Sequence, residues 1–330
     1  MKDKILNFLC FFLCGTIFLS LQAEDLSPLH QAAQKGDFTQ VQKLLSEKVS
    51  ADLTDQNGNT PLHYAAIQGN LETVSLLVEK GAKPDAKNRD RKTPLHYACL
   101  NGHAGVVDFL LSKNADCALK TKQKYTALHF AAMSGNTEIV KRLVEKGLDV
   151  NARNDEKRTP LHYAAQKDNL ATVEFLISRQ AKIKALDKNK NSPLALAIPG
   201  NNLAIVKLLS SEPSLIHAKN VSKNTPMHIA AETGNVEIAA FLLEKGAKLE
   251  TVNIQMETPL HLAVRKNKMA MAEFLLKHGV FVDPENAKKL TPCDIAREEG
   301  YKEMMDLLVK NNAKTYDRVN VRNLGTLNYN

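Results

Sequence analysis

The sequence predicts an all-α repeat solenoid made of stacked helix pairs. Three observations predict it. A Ser/Thr-Pro-Leu-His-like tetrad begins at Ser27, Thr60, Thr93, Thr126, Thr159, Ser192, Thr225, Thr258 and Thr291, always 33 residues apart and without insertion. Each interval holds two stretches whose apolar residues recur at helical spacing. Polar, turn-forming residues separate these stretches at fixed offsets. Only a stacking unit of constant size requires such strict spacing.

Composition agrees. The 330 residues are 44% hydrophobic and 24% charged, which excludes wholesale disorder. Aromatics are 5% with no tryptophan, so a large aromatic core is not expected. Five cysteines are too few for a disulfide-dense scaffold, and 15 glycines with 12 prolines exclude collagen and proline-rich linkers.

The first segment, residues 1–23, has the pattern of a secretory signal peptide. Lys2 and Lys4 precede an apolar stretch from Ile5 to Leu21, and Ala23 stands before Glu24 and Asp25. Leu21 is bulkier than the usual small residue before a cleavage site. The apolar run also approaches the ~20 residues needed to span a bilayer, so an uncleaved anchor over residues 5–21 stays open. Phe12 and Leu13 before Cys14 argue against a lipoprotein signal. The expectation is export, to a periplasm or by secretion, with membrane anchoring as the alternative.

Repeats are expected over residues 24–313. In each, the leading Ser or Thr is a good helix N-cap, and proline suits the first helical position. Five residues after each tetrad start lies alanine in every unit, from Ala32 to Ala296. With the mostly leucine position three residues earlier it makes one helix face, and its small side chain lets helices approach closely. Nine residues after the start come Gly36, Gly69, Gly102, Gly135, Asp168, Asn201, Gly234, Asn267 and Gly300, residues that tolerate the left-handed conformation ending a helix. Asn70, Asn136, Asn169, Asn202 and Asn235 then stand where a second helix needs a cap. That helix carries leucine at offset 17 in all units, Leu44 to Leu308, and an apolar residue at offset 14, Val41 to Met305, which places both on one buried face. A polar segment leads to the next tetrad. Residues 314–330 carry no repeat signal and read as a flexible tail.

Thr60-Pro61-Leu62-His63-Tyr64-Ala65-Ala66, Gly69-Asn70-Leu71-Glu72 and Gly81-Ala82 closely resemble the ankyrin-repeat pattern. The resemblance extends from Asp25 to about Ala313. It implies antiparallel helix pairs stacked in a curved solenoid, β-hairpin fingers projecting between successive pairs, and protein recognition through fingers and a concave groove. The sixth unit departs most: Ala195 replaces histidine, Pro199 enters the first helix, and Pro213 follows the second. A local irregularity is expected there. Cys293, Asp294 and Arg297 mark the last unit as a polar cap.

No phosphate-cradling glycine loop, serine elbow or metalloprotease helix motif is present, so no catalytic residue and no cofactor is assigned. The 17-residue tail is too short to hold a catalytic domain. Seven of ten histidines (His30, His63, His96, His129, His162, His228 and His261) occupy one tetrad position. A metal site needs ligands converging in one place, and these lie whole repeats apart. In the resembled family this histidine ties the helix start to the adjoining hairpin. Cys10 and Cys14 belong to the signal; Cys99, Cys117 and Cys293 read as packing residues.

Charge location is the remaining signal. The four residues before each tetrad from Thr60 onward are where the resembled family has its finger tip. Together these sets hold twelve Lys or Arg and four Asp or Glu, a net +8 equal to that of the whole chain. Two residues before the tetrad, where the resembled family uses glycine, stand Gly58, Arg91, Lys124, Lys157, Lys190, Lys223, Met256 and Lys289. A left-handed backbone there costs each non-glycine residue about 1 kcal/mol. Aligned cations suit an acidic partner; a lysine-rich turn kept for solubility is the other reading. Ile67, Leu100 and Met133, at a variable position facing the resembled family's groove, form either an exposed contact patch or filling between helices.

The expected activity is therefore non-enzymatic binding of an acidic protein, as a monomer, through Ile67, Arg91, Lys92, Leu100, Lys124, Tyr125, Met133, Lys157, Arg158 and Lys190. Binding of nucleic acid or anionic lipid by the same cations is the alternative. No nucleic-acid reader motif and no basic amphipathic helix supports it. Asn220-Val221-Ser222 is a glycosylation sequon on a finger, relevant only on a eukaryotic secretory route.

Overall fold

The computed structural model describes residues 26–314. The expected signal or anchor and, beyond Lys314, the expected tail lie outside the described residues. Among the described residues there are eighteen α-helices and no strands. Two helices follow each tetrad: α1 (Pro28–Lys35) and α2 (Phe38–Ser46), α3 (Pro61–Gln68) and α4 (Leu71–Glu79), α5 (Pro94–Leu100) and α6 (Ala104–Ser112), α7 (Ala127–Ser134) and α8 (Thr137–Glu145), α9 (Pro160–Gln166) and α10 (Leu170–Ser178). Then come α11 (Pro193–Ala197) and α12 (Leu203–Leu209), α13 (Pro226–Thr233) and α14 (Val236–Glu244), α15 (Pro259–Arg265) and α16 (Met269–Lys277), α17 (Pro292–Glu298) and α18 (Lys302–Lys310). The described chain divides within the fifth repeat into two compact units. The first runs to Ala164 and includes Ser178–Ala181; the second holds Ala165–Ile177 and everything from Lys182. In the first unit α1, α3, α5 and α7 stack in order, as do α2, α4, α6 and α8 behind them; in the second, α13, α15 and α17 do the same.

Expected caps set many of the helix bounds, although Asn235 makes no capping bond to its own helix and its amide donates to the Ile198 carbonyl. Thr93 Oγ1 accepts the His96 N–H at 3.4 Å, and Thr291 Oγ1 accepts that of Asp294 at 3.2 Å. All nine residues at the helix-ending offset adopt positive φ, from 50° at Asn267 to 85° at Gly234. Asn70 accepts the Thr73 N–H at 2.9 Å and so caps α4, while its amide donates back to the Gly36 carbonyl at 3.2 Å. One side chain therefore caps its own helix and ties it to the preceding repeat.

The cores are continuous rows of the repeated apolar residues. Leu62, Leu95, Leu128 and Leu161, with Ala65, Ala98, Ala131 and Ala164, are essentially inaccessible. Burying each such leucine contributes about 1.5–3 kcal/mol relative to exposure. The second helices bury the residue before offset 14 as well. Thr73, Val106, Ile139, Ile205, Ile238, Met271 and Met304 are all inside. In α18 it is Met304, and not the expected Met305, that is buried. Leu44 is only half-buried, since among the described residues no earlier pair covers it.

The sixth unit is irregular, as its prolines suggest. Helix α11 stops at Ala197 and continues as a 3-10 turn over Ile198–Gly200, and Pro213 opens another 3-10 turn, Pro213–His217, that buries Leu215 and Ile216. In the last unit Asp294 is buried rather than displayed. Its Oδ2 accepts the Thr291 N–H at 3.0 Å, replacing the histidine of other repeats, and Arg297 pairs with it at 3.2 Å. Lys314 N–H donates to Asp283 at 3.1 Å.

Candidate functional site

The fingers are tight turns rather than two-stranded hairpins. In the second finger, Asn88 N–H donates to Lys92 O at 3.0 Å and Arg91 N–H to Asn88 O at 2.8 Å. The other fingers of the first unit repeat this, with Lys124 N–H to Thr121 O at 3.0 Å and Lys157 N–H to Asn154 O at 2.9 Å. Each limb is too short for a ladder. Five residues make each turn, and the fourth, in the left-handed region, closes the loop. The conformation expected at that fourth position holds throughout: φ is 77° at Gly58, 59° at Arg91, 61° at Lys124 and 56° at Lys157. The turn's first side chain braces it. Asp55 Oδ1 accepts the N–H groups of Asn57 and Asn59 at 2.7 and 2.8 Å, and Asn88 Oδ1 accepts those of Asp90 and Lys92 at 3.0 and 2.9 Å.

Successive turns are joined edge to edge. Arg89 N–H donates to Asn57 O at 2.8 Å, Lys122 N–H to Asp90 O at 2.9 Å and Asp155 N–H to Gln123 O at 2.9 Å. Arg91, Lys124 and Lys157 consequently occupy one position on three linked turns, and all three are exposed. Lys124 also bridges to Asp155 on the following turn at 3.0 Å, a pairing that spacing within one repeat does not reveal.

Other expected contact residues are less available. Ile67, Leu100 and Met133 are half-buried rather than exposed, because the close approach of α3, α5 and α7 covers one side of each. Lys92 is half-buried with its ammonium 5.5 Å from the Tyr97 ring centroid; burial pulls its pKa below the ordinary lysine value, and nearby Asp90 opposes this. The Arg158 guanidinium lies 5.7 Å from the Tyr163 centroid. Tyr125 is half-buried, stacks on Phe130 with centroids 5.4 Å apart, and accepts the Tyr163 hydroxyl at 3.0 Å. Lys92, Tyr125 and Arg158 thus join an aromatic layer at the base of the fingers.

The partners of the buried tyrosine hydroxyls emerge only from the fold. Tyr64 donates to Asp55 Oδ2 at 2.7 Å, and Asn154 Nδ2 donates to the Tyr163 hydroxyl at 2.8 Å. Burial, then the Asp55 carboxylate, pushes the Tyr64 phenol above its usual pKa; burial takes Tyr97 up to about 12. Burial alone would raise Asp55, but hydrogen bonds from Tyr64 and Asn59 outweigh it and hold its carboxyl low.

The repeated histidines tie helix to finger. His63 Nδ1 accepts the Thr60 backbone N–H at 3.0 Å, so its Nε2 carries the proton and donates to Lys92 O at 3.0 Å. His129 reaches Arg158 O at 3.0 Å in the same way, and in the second unit His228 reaches Glu257 O at 3.1 Å. Desolvation lowers His63, His96, His129 and His228 to about 4, so all are neutral near pH 7. Among the described residues no cluster of three His, Cys, Asp or Glu is placed to hold a metal ion. Cys99 and Cys293 are buried free thiols and Cys117 is half-buried, in keeping with packing roles.

In the second unit the turns are again joined. Val221 N–H donates to Asn189 O at 2.8 Å, Ile254 N–H to Ser222 O at 2.9 Å and Ala287 N–H to Gln255 O at 2.9 Å. Lys190, Lys223, Met256 and Lys289 share the left-handed position, with φ of 59–61°. Lys190 is exposed, and it falls in this unit rather than with Arg91, Lys124 and Lys157. Glu257 is buried and pairs with Arg265, so it does not show its charge. The sequon asparagine is committed: Asn220 Nδ2 donates to Asn191 Oδ1 at 3.1 Å while its Oδ1 accepts the Asn224 N–H at 3.0 Å.

A family model of three ankyrin repeats matches residues 29–121, 115–187, 180–253 and 250–319. A search of curated proteins found no match.

Proposed function

Because the chain belongs to the ankyrin-repeat family, whose arrays are generally non-enzymatic protein-interaction scaffolds, we propose that it binds an acidic protein surface through the turns of its first unit. One observation carries this reading: Arg91, Lys124 and Lys157 stand exposed at one position on three turns whose backbones bond to one another. Each holds a left-handed backbone that glycine would adopt at lower cost, about 1 kcal/mol per residue. A solvated turn has no need of that strain.

A single exposed ion pair contributes only ~0–1 kcal/mol and is screened beyond ~8 Å at physiological salt. The aligned set therefore acts mainly in steering and orienting the partner. Lys124, shared with Asp155, contributes least. The open edges of Ile67, Leu100 and Met133 add an apolar contact beside the cations, and Lys92, Tyr125 and Arg158 hold the finger bases rigid. The basic and then apolar N-terminal sequence supports export of the scaffold, as a monomer, with anchoring by residues 5–21 as the alternative; N-terminal sequencing of the mature protein, fractionation and sedimentation test this directly.

The binding test is stopped-flow association with a fluorescein-labelled, glutamate-rich peptide. Arg91→Glu with Lys157→Glu slows association at low salt, and the difference shrinks as salt rises. Equal rates for wild type and variant at low salt would overturn the electrostatic reading.

A further inference from the structure

The second unit departs from the cationic pattern of the first. Val221, Ile254 and Met256 are 55%, 54% and 51% exposed, large apolar side chains displayed on neighbouring turns. They are juxtaposed by the backbone: Ile254 N–H bonds to Ser222 O at 2.9 Å, directly beside Val221, and Met256 N–H closes the Ile254 turn on Asn253 O at 3.1 Å. Earlier turns place Arg89 and Lys122 where Val221 and Ile254 stand, so the apolar character is local to these two turns. Met256 holds φ at 59°, a conformation that every other finger gives to lysine, arginine or glycine. An exposed apolar side chain in a strained backbone is unfavourable twice over, once for water and once for the chain, and such positions mark contact sites.

The surrounding charge indicates what covers them. Lys190 is exposed at the left-handed position of the preceding turn, Lys223 at that of the Val221 turn itself, and Lys288 on the turn that follows. The one carboxylate in these tips, Glu257, is buried against Arg265. The patch is therefore apolar at its centre and cationic at its rim. One further feature favours adaptation to a partner. Ala195 stands where seven other repeats have the tethering histidine, so the Val221 turn lacks that anchor, and Asn224 Oδ1 is buried without a hydrogen-bond partner.

We propose that the turns carrying Val221, Ile254 and Met256 form a second docking site, whose occupant is an acidic peptide segment of another protein with apolar side chains between its carboxylates. Three side chains on short, backbone-bonded turns match the few side chains of a peptide. Membrane-surface binding instead uses a long amphipathic helix. The site stands whether or not the first unit binds its own partner.

The test is selection of a random-peptide phage library on the full chain, followed by fluorescence anisotropy of the enriched peptides. Enriched sequences combine Asp or Glu with Leu, Ile, Phe or Met. Val221→Ser, Ile254→Ser and Met256→Ser together weaken their binding about tenfold or more. Lys190→Glu with Lys223→Glu weakens it chiefly at low salt, and Arg91→Glu with Lys157→Glu leaves it unchanged. Thermal melts verify folding, and Met256→Gly, which suits the left-handed backbone, serves as a milder variant with a smaller loss. The proposal is overturned if no sequence is enriched. It is also overturned if enriched peptides bind the serine variant as well as wild type, or respond only to the first-unit pair. Binding to phosphatidylserine vesicles through the same three side chains, with no peptide selected, overturns it in favour of a lipid surface.

Discussion

Acidification should dismantle the repeats well above the range in which carboxylates titrate. His63, His96 and His129 in the first unit are held near a pKa of about 4 by burial, against 6.5 in the unfolded chain. Each is neutral in the fold, accepting at Nδ1 and donating at Nε2, so a proton at Nδ1 must break the bond from the Thr backbone. The folded pKa is depressed, and the unfolded chain therefore binds more protons between pH 6.5 and 4. Stability is fully present above pH 6.5, falls as pH drops through that window, and changes no further from this source below about 4. One pKa unit corresponds to about 1.4 kcal/mol, so at pH 5 each of these histidines removes roughly 2 kcal/mol. Three together remove roughly 6 kcal/mol, comparable with the whole stability of an ordinary domain. Urea unfolding followed by circular dichroism at pH 7.5, 6 and 5 measures this directly, alongside histidine ring resonances in the folded protein. A midpoint that stays constant from pH 7.5 to 5, or ring protons that titrate near 6.5 in the native state, would refute the reasoning.

Three further substitutions probe the turns and the helix ends. Lys157→Gly removes a left-handed strain of roughly 1–2 kcal/mol, of which glycine's greater unfolded freedom takes back about 0.5–1. Its urea midpoint should rise while association with an acidic peptide slows, and a fall in the midpoint counts against the strain argument. Gly69→Ala and Gly81→Ala both place a Cβ at positive φ. At Gly69 that atom meets the His103 ring at 2.4 Å, whereas at Gly81 nothing lies within 4 Å. Gly69→Ala also displaces the bond from His103 to Ile67 O, 2.9 Å long, and should lose about 1 kcal/mol more than Gly81→Ala. Equal losses in paired melts would show that the His103 contact carries no stability.

Much of this architecture is legible along the chain because one repeat is a local object. Cap, proline, alanine and left-handed residue act within a turn or two of one another, so Thr60 to Gly69 delimits α3 without reference to the rest of the fold. Resemblance to the ankyrin repeat implies the left-handed finger position, and the structure gives it to Arg91, Lys124 and Lys157 as it does to Gly58. What a side chain meets in the next repeat is a different matter. Lys124 bridges to Asp155, the Tyr163 hydroxyl donates to that of Tyr125, and Ile67, Leu100 and Met133 are half covered by neighbouring helices. The apolar Val221 and Ile254 were visible as letters, but their exposure and adjacency were not. Chain order by itself therefore determined the helices and most of their ends, since these depend on backbone chemistry within a few residues, while resemblance to the ankyrin repeat implied the histidine ties and the row of fingers. Only the tertiary structure decided which cations are free to meet a partner and which apolar tips face water, because that depends on atoms brought together from residues a full repeat apart.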